Sequence, residues 1–270
     1  MKRRWALAVA LTACGRVDFA NLRDPGGDAG ASDISPADAA SAIRVVQTSG
    51  FASVGNATQA TTAFANPPTA GDAIVVYAWS WDLTSTSIDA AGVSDTASTA
   101  YTLAIENGAT GCDTGVGAVA LLYAANIAAS AQALSITVVP VGASGQEIAT
   151  IAVEYAGLDP ASPLDQIGSS QTDVGTSPHL FDSGMTSTTR AADELVATAG
   201  NTCQGYPNAV AWADTSGFTT LATETETTTH EPGIAADRIV TSEGSFDDVW
   251  QITFSPPQTF PSIGVIATFH

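Results

Sequence analysis

Residues 42–270 are expected to fold as an all-β sandwich, and three observations carry that expectation. Short runs rich in Val, Ile, Thr, Tyr and Ala alternate with Gly/Asp/Asn/Pro/Ser clusters through to the last residue. The runs AIVVYAWSW (73–81), AVALLYAANI (118–127) and IATIAVEYAG (148–157) are long and mostly apolar, as central strands buried on at least one face are. No stretch keeps a helical period; SPADAASAI and IAASAQA have the length for single turns only. In chain order the predicted strands are 43–49, 73–81, 100–106, 116–125, 133–140, 147–156, 193–199, 207–213, 217–224, 236–241, 248–255 and 262–269.

The first long strand carries the densest aromatic signal. Val75, Tyr77, Trp79 and Trp81 share one face by alternation, while Ile74, Val76, Ala78 and Ser80 form the other. That second face grows smaller and more polar along the strand, so the aromatic face is read as the inner one. Trp81, leaving the strand beside Asp82, is the ring of this row placed to meet a ligand. Tyr206, in the loop CQGYPN, is the second candidate ligand contact. Tyr101, Tyr123, Tyr155, Trp212 and Trp250 fall on predicted strands beside aliphatic residues and read as core.

The N-terminus is a different kind of signal. Lys2, Arg3 and Arg4 precede WALAVAL (5–11), an apolar run far short of the roughly 20 residues that span a bilayer. Leu11-Thr12-Ala13-Cys14, followed by Gly15, resembles the lipobox of bacterial lipoprotein signal peptides at every position. The resemblance implies a signal peptide over 1–13, cleavage before Cys14, and acylation there, which anchors the chain firmly to a membrane. Cys14 is then neither ligand nor nucleophile. Gly15 and Arg16, in place of an aspartate after the cysteine, favour the outer over the inner membrane. GRVDF (15–19) resembles the start of lipoproteins from myxobacteria and their relatives. Residues 14–41 are rich in Gly, Ala, Asp, Ser and Pro without apolar period, as expected of a disordered, flexible tether.

Charge narrows the partners. The chain has 8 basic and 27 acidic residues. Without residues 1–13 the balance is five arginines against 27 acids, or −22. Such a surface repels phosphate backbones, so nucleic-acid binding is excluded.

Within 42–270 the order of pieces resembles a recurrent jelly-roll module of bacterial extracellular proteins. AGDAIVVYAWSW comes first, then SDTASTAYTLA, VALLYAANIAA, EYAGLDPASPLD and DELVATAG. The resemblance implies a single jelly-roll-like antiparallel β-sandwich and assigns no biochemical activity. Two stacked sandwiches are disfavoured, since no Pro/Gly linker interrupts the region.

Chemistry is sparse in this sequence. Cys112 and Cys203 both sit in Gly/Asn/Thr-rich loops, and in an exported protein a disulfide between them is expected, with free thiols or half a metal site as the alternatives. Of the three histidines, His179, His230 and His270, none belongs to a zinc-protease helix, because Pro232 interrupts HEPGI and no second histidine follows. No nucleophile elbow, P-loop or dinucleotide fingerprint is present, and no catalytic residue is assigned. Glu224 and Glu226 alternate and read as the polar face of an edge strand; Asp193 and Glu194 are adjacent. Glu154, on an apolar strand, needs a partner, and Arg190 or Arg238 is expected to supply an ion pair. No metal set is assigned. Calcium is the cofactor left open, with Asp113, Asp159, Asp165, Asp247 and Asp248 as sources. The expected function is a non-enzymatic surface binding or adhesion module for glycan or an envelope protein. The alternatives are a carbohydrate-active or other hydrolase, and a purely structural envelope protein.

Overall fold

The strand predicted from AIVVYAWSW is buried on both faces, and that sets the layering of the molecule. Tyr77 and Trp79 are inaccessible on one side, while Ile74, Val76, Ala78 and Ser80 are equally buried on the other. A sheet covered on both faces needs a layer above and below it.

The computed structural model describes residues 42–83, 87–112, 115–142, 146–190, 193–202, 209–225 and 232–270. Its first half holds β1 (Arg44–Thr48), β2 (Ala52–Ala57), β3 (Ala60–Ala63), β4 (Ala73–Leu83), β5 (Val93–Asp95), β6 (Thr102–Cys112), β7 (Gly115–Ala124), β8 (Ser135–Val138) and β9 (Gln146–Ala156). The second holds β10 (Leu164–Ile167), β11 (Gln171–Thr176), β12 (His179–Thr188), β13 (Glu194–Thr202), β14 (Ala209–Asp214), β15 (Thr219–Glu224), β16 (Gly233–Val240), β17 (Gly244–Ser255) and β18 (Thr259–Phe269). The fold is all-β and antiparallel, a sandwich, as the sequence predicts. Among the described residues the helical content is a 3-10 turn at Ala90–Gly92, and no helix is long and apolar enough to cross a membrane.

The sandwich is built twice. In the first half a six-stranded sheet runs β1-β9-β4-β7-β6, with β2 also on β9, and a three-stranded sheet runs β3-β8-β5. In the second half the orders are β10-β18-β13-β16-β15, with β11 also on β18, and β12-β17-β14. Every strand of the first half maps onto the strand nine places later. The match extends to irregularities: the ladder slips between Val45 and Gln47 on β9, and between Leu164 and Gln166 on β18. Val46 and Asp165 are therefore equivalent bulge residues.

The two halves join through their six-stranded sheets. Tyr77, Trp79, Leu121, Val153 and Tyr155 from the first meet Leu195, Ala235, Val265 and Phe269 from the second in one shared core. Each outer face is closed by the three-stranded sheet of the same half. Phe64, Ile136 and Val138 cover Ile74, Val76 and Leu122. Phe181, Trp250, Ile252 and Phe254 cover Ile234, and Phe246 packs against Val196 and Ile266. Four layers thus form one compact unit, since neither six-stranded sheet has a dry inner face without the other. No linker is needed between the two sandwiches because they share that core.

Rings fit these layers by lying over positions that lack a Cβ. A methyl at Gly233 would strike the Trp79 indole, one at Gly200 would sit 2.5 Å from Trp250 Cζ3, and one at Gly264 would sit 3.0 Å from Phe181 Cε1. Polar ties cross the shared core as well. The Tyr155 hydroxyl donates to Asp237 Oδ2 at 2.6 Å and lies 3.0 Å from the Tyr77 hydroxyl. Asn107 Nδ2 donates to the Gln171 carbonyl at 2.6 Å. Burial raises the Asp237 carboxyl above its ordinary range, and the Tyr155 hydroxyl opposes that.

Candidate functional site

The doubled fold places an acid at the start of each central strand. Ala73 opens β4 opposite Tyr155, and Leu195 lies in the same place opposite Phe269, so Asp72 and Glu194 are equivalent. By the same register Glu154 corresponds to Thr268, and Ala156 to His270. The two ends have developed differently.

In the first half the acids hold a loop. Glu154, with no exposed surface, accepts hydrogen bonds from Gln47 Nε2 and from the Thr69 N–H at 2.7 Å. Gln47 also bonds both backbone groups of Asn66, so the 64–72 segment is pinned to β1 and β9. Asp72 lies against Glu154. Its own burial, a hydrogen bond with Glu154 and the Glu154 charge push its pKa up to about 6, against the pull of Arg44. The expected ion pair of Glu154 with Arg190 or Arg238 is therefore corrected: a carboxyl pair, an amide and a backbone N–H satisfy it. Arg238 Nη1 instead donates to the Ser216 carbonyl, with the guanidinium over the Phe246 ring, while Arg190 is exposed near the other end.

In the second half the acid has different company. Glu194 is fully buried; its Oε1 accepts from the Arg190 N–H at 3.0 Å, and its Oε2 is buried without a hydrogen-bond partner. Asp165 Oδ1 accepts from the Thr189 hydroxyl at 2.7 Å, and its Oδ2 from the Thr268 hydroxyl at 3.3 Å. His270 Nδ1 lies 3.8 Å from Asp165 Oδ1 and is likewise buried without a hydrogen-bond partner. Burial and the Asp165 charge raise the Glu194 carboxyl above its usual range. Burial and the Arg190 charge lower the His270 imidazole, so it is neutral near pH 7 and forms no ion pair there.

Beside this cluster lies an open cleft of about 660 Å³. Ala42, Ile43, Gly71, Gly157 and Leu158 supply its apolar part, and Asp159, Arg190, Asp193 and His270 its polar part. Asp159 is held below the usual carboxylate range by the N–H groups of Ala161 and Ser162, which bond Oδ1 at 2.8 and 3.2 Å.

Of the residues singled out from sequence, Trp81 is half-buried, packs on the shared core, and has a buried Nε1 with no hydrogen-bond partner. It is not part of the cleft lining. Cys14, Cys203, Tyr206, Glu226, His230, Asp113 and the side chain of Cys112 lie outside the described residues. Glu224 is buried at the end of edge strand β15 rather than presented to solvent. Asp165, Glu194 and His270 were each visible in the sequence, but 105 positions separate the first from the last. The acid preceding each of the runs AIVVYAWSW and LVATAG is the one local signal that relates them. Comparison with protein-family models, with curated proteins and with solved structures finds no match for this chain.

Proposed function

We propose that the chain is a lipid-anchored cell-envelope lipoprotein, favouring the outer membrane, whose β domain binds another envelope component without catalysing a reaction. The lipobox and tether support the anchor. The observation that carries the binding reading is the open cleft, whose volume falls in the range of sites that take small ligands or single side chains. Among the described residues its lining holds no Phe, Tyr or Trp on which a sugar ring would stack, and it combines Asp159 and Asp193 with Arg190. On a chain that carries −22 without residues 1–13, this chemistry favours a cationic segment of an envelope protein over a glycan. It also disfavours a hydrolase using Asp159 as proton donor, since that carboxyl is held ionised.

Two experiments test the proposal. A Cys14→Ser chain expressed in a bacterial host is expected to lose palmitate labelling and to leave the membrane fraction; persistent labelling overturns the anchor. The same full-length variant is expected to bind immobilised Arg/Lys-rich peptides, weakening as salt rises. Asp193→Asn should reduce that binding by roughly two- to fivefold, the scale of one rim charge. Binding to an array of bacterial glycans instead, or to neither surface, overturns the partner.

A further inference from the structure

We infer that Asp165, Glu194 and His270 form a binding site for a zinc-like divalent cation. One ligand atom of each residue lies within 4.8 Å of the others, making this the His/Asp/Glu cluster of such closeness among the described residues. Three features separate it from an ordinary acidic cluster.

The first is the pair of unpartnered atoms. Glu194 Oε2 and His270 Nδ1 are buried and make no hydrogen bond, a costly arrangement unless something else occupies them. The second is spacing. At 3.8 Å, His270 Nδ1 and Asp165 Oδ1 are too far apart for a hydrogen bond. Two donors each about 2.1 Å from a common ion reach that separation at an angle of about 130°, within reach of a four-coordinate site. The third comes from the doubled fold. The strand-opening acid is common to both halves, but the bulge residue is Val46 in one and Asp165 in the other, and the residue ending the central strand is Ala156 in one and His270 in the other. The framework therefore needs neither Asp165 nor His270. Both additions converge on the same buried carboxylate.

The donor set selects the cation. One imidazole and two carboxylates suit zinc and its first-row neighbours; calcium prefers six to eight oxygens and magnesium an octahedron of oxygens. The hydroxyls of Thr189 and Thr268 bond Asp165 Oδ1 and Oδ2, the kind of outer contact that orients a metal-binding carboxylate. Three protein donors leave at least one coordination position for water or a ligand atom. His270 also lines the cleft, so one of the three donors belongs to a residue that borders the space a ligand would enter. The site stands on this geometry alone and does not depend on what the cleft binds.

The test is calorimetric titration of the full Cys14→Ser chain, stripped with chelator, with zinc chloride in the presence of millimolar calcium and magnesium. One equivalent of zinc is expected. Glu194→Gln and His270→Ala should each weaken it by about a hundredfold or more, since even outer-contact changes cost roughly ten- to a hundredfold. Absence of binding, or binding unchanged in both variants, overturns the inference. X-ray absorption at the zinc edge of the unsubstituted site covers the case in which a variant fails to fold. A shell of nitrogen and oxygen with imidazole scattering supports the assignment, and a sulfur shell, which would place the ion on Cys112 or Cys203, overturns it.

Discussion

Trp79→Ala is expected to destabilise the domain by about 3–5 kcal/mol, the scale of deleting a buried tryptophan from a packed core. The indole is 1% exposed and lies where the two halves meet, with Phe51 stacked on it at 5.7 Å between ring centres. Its five-membered ring rests on Gly233 of the opposite sheet. The contact is reciprocal, so it can be tested from both sides. Gly233→Ala forces a methyl into atoms Cε2 and Nε1 of the indole, and its other near neighbour, the Gly200 carbonyl at 2.9 Å, is backbone that cannot swing away. A cost of about 1–3 kcal/mol follows from overpacking. Trp79→Phe removes the very atoms that collide, so Gly233→Ala should cost at least about 1 kcal/mol less in that background. Urea unfolding of the four chains measures the cycle. Strict additivity would show that Gly233 is required for its backbone and not for the space it leaves.

How much of this was legible in the sequence depends on which residues carried the signal. The long strands β4, β7, β9, β13 and β18 announce themselves because their inner faces use Tyr, Trp, Leu, Val and Phe. The six strands that sequence did not reveal, β2, β3, β5, β10, β11 and β12, read ASVGNA, ATTA, VSD, LDQI, QTDVGT and HLFDSGMTST. Apart from Val93 and Phe181, their buried positions are filled by Ala, Thr, Ser and Gly, which look the same in a loop. Thr62 shows why that works: its hydroxyl bonds Ser49 Oγ, so a polar side chain fills a buried place without loss. The duplication was hidden for a related reason. Equivalent positions are Tyr155 and Phe269, Glu154 and Thr268, Asp72 and Glu194, matched in place but not in identity. Once the layers are doubled, the second face of β4 is also interior, which alternation read as the outer face. The metal-like cluster could not be read because a bulge, a strand start and a strand end come together only in the folded ladder.

Stability should fall as pH rises from about 4 to 7, and Asp248 is the residue expected to contribute most. It lies fully buried between β12-β17-β14 and the six-stranded sheet beneath, and burial pushes its pKa up to about 7 from 3.8. The hydrogen bonds agree with a protonated carboxyl. Thr198 Oγ1 is 2.7 Å from Asp248 Oδ2 and 3.2 Å from the Ala236 carbonyl, yet a hydroxyl has one proton. If Asp248 donates to Thr198, Thr198 can donate to Ala236, and Ser216 Oγ, at 2.8 Å, can donate to Asp248 Oδ1. The sign follows from the raised pKa. Between 3.8 and about 7 the folded state holds a proton that the unfolded chain has released, so each pH unit upward costs about 1.4 kcal/mol. The contribution is fully present below 3.8 and lost above about 7. Asp248→Asn keeps the shape and reproduces the protonated pattern: its amide donates to Thr198 and its carbonyl accepts from Ser216. Relative to the parent chain, the variant should therefore gain roughly 2–3 kcal/mol between pH 5 and pH 8, read as the change in the difference of urea midpoints. Asp72, Asp237 and Glu194 are raised as well and act equally in both chains, so the difference isolates Asp248. An identical difference at both pH values would mean that Asp248 is ionised in the folded protein, with Thr198 bonded to it and the Ala236 carbonyl left without that hydroxyl.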